Sequence, residues 1–191
     1  MAQPHILPGV LGTALVVAFV VAACAQGDGG PAPEEEVSEP TMKITSTAFV
    51  EGESIPVKYT CDGEDVSPPL RISGIPEGTR SLALIADDPD APRGTWVHWV
   101  VHGIPPETTD LPEDYAAGLP GGAGHGSNDF RDRGYGGPCP PGGSAHRYFF
   151  KVYALDKKVG LKPAAAKADL LREMEGGILG RGQLMGTYQR R

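Results

Sequence analysis

Aspartate, glutamate, lysine and arginine are missing from the first 23 residues of this 191-residue chain, and neither lysine nor arginine occurs before Lys43. Cysteine appears three times, tryptophan twice, and aromatic residues make up only 7%. Three cysteines exclude a disulfide-dense mini-protein. The longest apolar run, residues 11–23, falls short of the roughly 20 residues that a membrane-spanning helix needs. No basic run accompanies the net charge of −7, so nothing supports a nucleic-acid partner. Three signatures of catalysis are absent: an HExxH metal motif, a GxSxG elbow, and a Gly-rich loop closing on Lys-Ser/Thr. No internal repeat is evident. Present instead are 27 glycines and 19 prolines, which argue for many turns and against a helical bundle. The 40% of hydrophobic residues suffices for one core, so the expectation is one domain with appendages.

The appendages lie at the beginning. Residues 11–23 have the size of a signal-peptide h-region. Val21-Ala22-Ala23-Cys24 resembles a bacterial lipobox, whose cysteine is lipidated and becomes N-terminal on cleavage. Residues 1–23 are therefore expected to be a signal peptide with a lipobox and Cys24 the lipidation site, an ordinary secretory signal being the alternative. The n-region departs from the usual pattern in having no Lys or Arg. Residues 24–40 are rich in Gly, Pro and Glu and cannot bury enough surface to offset their ordering entropy, so a disordered tether is expected. The tether holds five acids, Asp28, Glu34, Glu35, Glu36 and Glu39. Removing them from 24 acids leaves 19 against 17 bases, so the domain at 41–191 carries about −2.

Within that domain, residues 42–49 and 54–59 are short β-rich runs around Glu51-Gly52 and suggest a hairpin. Residues 70–73 suggest a short strand. Residues 81–86 read as a buried strand and are followed by Asp87, Asp88 and Asp90 among prolines that break regular structure. Residues 96–101 resume as a strand, in which simple alternation puts Trp96, His98, Val100 and His102 on one face. Residues 118–143 form a long Gly-rich stretch, expected to be an ordered wall of a site. The clearest strand is 146–156, with His146, Tyr148, Phe150, Val152 and Ala154 sharing a face. One helix is expected over 163–175, with Pro163 near its start and Gly176-Gly177 as its stop. The tail at 178–188 reads either as a second short helix or as an edge strand. Strands outnumber helices, which predicts a mainly β, antiparallel sandwich with few peripheral helices, one of them near the C-terminus.

Six motifs occur in order: Tyr59-Thr60-Cys61-Asp62-Gly63, Ser67-Pro68-Pro69-Leu70, Asp88-Pro89-Asp90-Ala91-Pro92, Trp96-Val97-His98-Trp99, Asn128-Asp129-Phe130, and Gly137-Pro138-Cys139-Pro140-Pro141 through His146-Arg147-Tyr148. In this the chain resembles the phosphatidylethanolamine-binding protein superfamily, in its bacterial Raf-kinase-inhibitor-like branch, over about residues 42–188. The resemblance implies an antiparallel β-sandwich with a small anion-accepting pocket formed by Asp88, His98, Gly137, Pro138, His146 and Tyr148. Asp90 and Pro92 would hold the shape of the loop. Ile72 stands where bacterial members often carry tryptophan, which implies a local packing change.

Chemically, two imidazoles, a phenol and Gly-rich backbone suit a phosphate or carboxylate, with N–H groups near Gly136 and Gly137 as possible added dipoles. Asp88 would accept a histidine N–H or receive a ligand ammonium. Structural roles are expected for His5, His102 and His125, and core or pocket-wall roles for the tryptophans. Asp88, Asp90, His98 and His146 are zinc-ligand types without local ligand spacing, so no metal is expected. For Ser127, in Gly126-Ser127-Asn128, the sequence identifies no base. With Cys24 assigned to lipidation, Cys61 and Cys139 remain as a pair in an oxidising compartment, and a disulfide is predicted. The resulting expectation is a non-enzymatic binding protein without cofactor, lipid-anchored in the bacterial cell envelope or else secreted or periplasmic. Its ligand would be a small anion or a phospholipid headgroup. Inhibition of a partner enzyme and an uncharacterised hydrolase are the competing readings.

Overall fold

The structure is a computed structural model that describes residues 42–119, 121–162 and 165–190. The signal segment, His5, Cys24, the tether and Pro163 lie outside the described residues. The strands are β1 (Lys43–Thr45), β2 (Leu70–Ser73), β3 (Ser81–Asp88), β4 (Trp96–Ile104), β5 (Asp110–Leu111), β6 (Gly124–His125), β7 (His146–Leu155) and β8 (Ile178–Tyr188); the helix is α1 (Lys167–Met174). Two antiparallel sheets form, one in the order β1-β2-β5 and one in the order β6-β4-β3-β7-β8. The predicted sandwich is thus present.

Strand β3 lies at the middle of the five-stranded sheet, and all eight of its residues are buried. Its apolar run is continuous because both faces are covered. Leu82, Leu84 and Ala86 join the core between the sheets with Trp99, Val101, Phe150 and Ile72. Ala83 and Ile85 face the other way, into a smaller core with Val97, Val100, Leu170 and Met174 under α1. Each fully buried Leu, Ile or Phe contributes roughly 1.5–3 kcal/mol through removal from water. Ile72, the position that departs from the family pattern, is 1% exposed and fills the inter-sheet core as an aliphatic side chain.

The alternation expected for β7 holds, since His146, Tyr148, Phe150, Val152 and Ala154 are all buried. In β4 it does not. Ala86 pairs with Trp99 and Asp87 with Val97, so His98 is the extra residue of a β-bulge. The bulge shifts the alternation by one. Val97 and Val100 both face α1, Trp99 and Val101 face the inter-sheet core, and the His98 ring packs against Tyr148 of that core. His98 and Val100 therefore lie on opposite faces, contrary to the simple period of two.

Other boundaries differ for identifiable reasons. No hairpin forms across residues 42–59: β1 pairs with β2, and the segment after Gly52 lies along β8. There the Ile55 amide donates to the Thr187 carbonyl at 2.7 Å and the Thr187 amide to the Glu53 carbonyl at 2.8 Å. Pro56 has no N–H to continue such a ladder, and Val57–Tyr59 turns as a 3-10 segment. The C-terminal tail is an edge strand, paired with β7 along its length. Helix α1 begins at Lys167, where the Asp169 carboxylate accepts the Ala166 amide at 2.9 Å, and Gly176 at φ 71 lies just beyond its end. Asp87, unassigned from sequence, has a fully buried carboxylate that accepts Lys151 Nζ at 2.7 Å and Lys167 Nζ at 2.5 Å, tying α1 to the sheet. Among the described residues no helix is long and apolar enough to cross a membrane.

Leu170 is wholly buried between α1 and the outer face of the sheet. Leu170→Ala is expected to lower unfolding stability by about 2–5 kcal/mol in urea titration. A change near zero would show that α1 does not cover that face.

Candidate functional site

Strands β4, β3 and β7 are neighbours, and they bring their functional side chains to one end of the inner face. Register places Asp88 opposite Trp96, while Asp87 pairs with Phe149, so Asp88 stands level with Tyr148 on β7. His146 Nδ1 lies 2.8 Å from Asp88 Oδ2, with both side chains more than nine-tenths buried. The His98 and Tyr148 rings meet edge to face at 5.2 Å. Above them is a cavity of about 210 Å³, whose polar floor is Asp88, His98 and His146. Its walls are Pro92, Trp96, Phe130, Cys139, Pro140 and Pro141. Phe130 packs against both Trp96 and His98 at 5.4 and 5.3 Å and is itself 43% exposed, at the mouth.

The wall after Asp129 is ordered by its own hydrogen bonds. The Asn128 side chain accepts the Asp132 amide and donates to the Gly134 carbonyl, knotting the turn. Asp129 is tied to β4 through the Val97 amide, which donates to its carboxylate at 2.7 Å. The Gly136 carbonyl accepts from His98 Nδ1 at 2.6 Å, and the Gly136 amide donates to the His98 carbonyl. The Gly137 amide donates to Asp65 Oδ1 at 2.6 Å, and a Cβ at Gly137 would collide with the Tyr59 carbonyl. The predicted disulfide Cys61–Cys139 is present, with Cα atoms 5.4 Å apart. It ties this wall to the Thr60–Asp65 loop.

Electrostatics follow from these contacts. Burial holds the His98 imidazole below its ordinary pKa, opposed by the Gly136 carbonyl and the Asp88 charge. Burial pushes the Tyr148 phenol up, and the Asp88 carboxylate adds to the effect. The Tyr148 hydroxyl is buried without a hydrogen bond of good geometry among the described residues, the kind of group that a water or ligand ordinarily completes. Asp90 is gripped by a two-pronged Arg147 guanidinium at 2.9 and 2.7 Å, and these hydrogen bonds lower its pKa to about 2. The Asp90 amide also donates to Asp88 Oδ1 at 2.8 Å, which fixes the floor from below.

Of the residues named from sequence, Asp88, His98 and His146 line the cavity, and Tyr148 supports His98. Asp90 acts as scaffold and Pro92 as wall. Gly137 and Pro138 stand behind the wall, and the amides of Gly136 and Gly137 are already engaged, so the backbone dipoles expected there are turned away from a ligand. Phe130, Pro140 and Pro141 had no assigned role, although an aromatic in a Gly-rich loop was the available signal for Phe130. His125 is structural: it accepts Trp99 Nε1 at 3.3 Å and faces the Ala116 carbonyl at 3.0 Å. Among the described residues no three His, Cys, Asp or Glu side chains converge as a metal-ligating set. A larger groove, about 670 Å³, lies at the opposite end of β3 and β4, but its charged residues Arg80, Glu107 and Lys158 are all exposed.

A family model described as phosphatidylethanolamine-binding protein matches residues 45–189. A UPF0098 protein of Methanothermobacter thermautotrophicus is 51% identical over 151 residues, covering 78% of this chain and 99% of that protein. Among solved structures, a phosphatidylethanolamine-binding protein homologue from Chlamydia trachomatis superposes with a TM-score of 0.74 at 40% identity, covering 80% of this chain and 99% of that one. Escherichia coli YbcL, described as a member of the mammalian PEBP family, gives 0.75 at 36% identity over 81% and 100%.

The Asp90–Arg147 fork carries a pH signature. Asp90 has its folded pKa depressed from 3.8 to about 2, so its contribution is present above 3.8 and lost as pH falls through 2. Solvent screens the pair, because the Arg147 side chain is 53% exposed. The gap in urea midpoint between wild type and Arg147→Gln is expected to close between pH 3.8 and 2. A gap that stays constant across that window would contradict the pairing.

Proposed function

The chain belongs to the phosphatidylethanolamine-binding protein family, and from that premise we propose that it is a non-enzymatic binding protein whose pocket takes a small oxyanion: phosphate, a carboxylate or a phospholipid headgroup. One observation carries the reading. Two buried histidines and a buried carboxylate floor a cavity of about 210 Å³, beside a Tyr148 hydroxyl without a hydrogen bond of good geometry among the described residues. Structural histidines have no need of a cavity, and a lone cavity has no need of an Asp–His pair. The volume suits a headgroup or small acid, and the walls of Trp96, Phe130 and three prolines favour a ligand with an apolar portion next to its charge. Asp88 keeps acceptor capacity beyond His146 and the Asp90 amide, which suits the ammonium end of a zwitterion. Export, and anchoring of the domain in the envelope through Cys24, complete the proposal; they rest on the lipobox-like Val21-Ala22-Ala23-Cys24 and on the composition of the tether.

Calorimetry at about pH 6 with phosphate, acetate and phosphoethanolamine tests the pocket. Wild type is expected to bind at least one of them. The His98→Ala/His146→Ala double variant should bind roughly tenfold to a hundredfold more weakly, the loss of a charge-assisted hydrogen bond or two. Equal binding by both proteins would place the ligand elsewhere.

A further inference from the structure

Hydrogen-bond partners fix where the protons of this pocket reside. His98 Nδ1 lies 2.6 Å from the Gly136 carbonyl oxygen, which can only accept, so Nδ1 carries the hydrogen. A neutral imidazole has one N–H, and Nε2 of His98 is then a bare lone pair. His146 is set the same way, its Nδ1 facing Asp88 Oδ2 at 2.8 Å. Nε2 is in each ring the nitrogen that these pairings leave over. The wall amides are unavailable, Gly136 being bonded to the His98 carbonyl and Gly137 to Asp65.

The cavity lining contains neither Lys nor Arg. Arg147 is held in its fork by Asp90, and Lys151 and Lys167 are bound to Asp87 on the opposite face of the sheet. The groups facing His98 are Asp88 from β3, Tyr148 and His146 from β7, and Phe130 with the Gly136 and Gly137 carbonyls from the loop, with the Asp87 charge acting from the opposite face of the sheet. Tyr148 can add a neutral hydroxyl but no charge. With His98 neutral, an entering oxyanion would meet its bare lone pair and the Asp88 carboxylate, which repel it.

We propose that an oxyanion enters this pocket together with one proton from solvent, which binds Nε2 of His98 and becomes the ligand's charged hydrogen-bond donor. The only bond formed is N–H, and the ring's gained positive charge balances one negative charge of the ligand. The inference rests on the anion-pocket reading above and adds its regulation: occupancy is linked to pH through one residue. Burial supports the assignment, since it keeps His98 neutral in the empty pocket and the incoming anion supplies the compensation that the protein lacks. Gly136 is the positioning residue, because its carbonyl sets the tautomer.

Sulfate is the probe, since it stays fully ionised near neutrality and any pH dependence then belongs to the protein. Calorimetry in two buffers of different ionisation enthalpy should report close to one proton taken up per sulfate at about pH 7.5. Sulfate affinity should fall about tenfold per pH unit through the upper part of the range, the slope for a single proton. His98→Gln, which offers a permanent neutral N–H at the ε position, should bind with a flat pH profile. Nitrogen-15 NMR of the wild type covers the case in which that variant fails to fold: His98 Nε2 should change from unprotonated to protonated on saturation with sulfate at fixed pH. Sulfate binding without proton uptake, or an Nε2 that stays unprotonated when saturated, would overturn this inference and leave the anion pocket standing. No binding of sulfate, phosphate or acetate at any pH would overturn both.

Discussion

Between Trp99 and Val97, strand β4 contains one residue more than β3 does between Ala86 and Asp87, and that residue is His98. Without the bulge, the period of two would keep His98 and Val100 on one face of the sheet. With it, the imidazole turns onto the inner face, reaches the Gly136 carbonyl and meets Tyr148. Asp88 and His146 arrive there by ordinary alternation on two adjacent strands. A local irregularity of one residue thus assembles a constellation that regular strands could not.

The same pairing sorts the consecutive aspartates. Asp87 points to the outer face and is neutralised by two lysines, while Asp88 points inward and is answered by a histidine. Both carboxylates are almost fully buried, and each is tolerable only because it is paired. Asp87 therefore serves architecture by fastening α1, and Asp88 serves the site by fixing the His146 tautomer. The rigid frame around the pocket has the same logic: the Asp90–Arg147 fork below, the Asn128 knot and the Cys61–Cys139 bridge in the wall. The fork and the bridge close separations of 57 and 78 residues, and the knot stiffens the wall locally.

Much of this was legible in the sequence. The apolar run of β3, the alternation of β7, the pairing of Cys61 with Cys139, and the approach of His98 to His146 all followed from pattern or from the ordered motifs. What escaped depended on register and on long-range partners. The bulge at His98 leaves no trace in composition, because Trp-Val-His-Trp-Val-Val reads as an uninterrupted strand. The segment around Ile55 carried β propensity but found its partner in β8, more than 130 residues away. Gly137 matched a motif, yet its amide is claimed by Asp65, a contact that only the folded chain reveals. The place of Phe130 at the cavity mouth is not legible in its motif, since exposure of an aromatic there is a property of the surface and not of the sequence.

The central claim is that the ligand sits at the end of β4, β3 and β7, between the two histidines. A crystal structure of the protein grown in phosphate addresses it most directly. The expected result is an ordered anion within hydrogen-bonding distance of Nε2 of His98, in the cavity that His146 also floors, beneath Phe130. An empty cavity there, with ordered phosphate confined to the groove lined by Arg80 and Lys158 at the far end of the sheet, would contradict it.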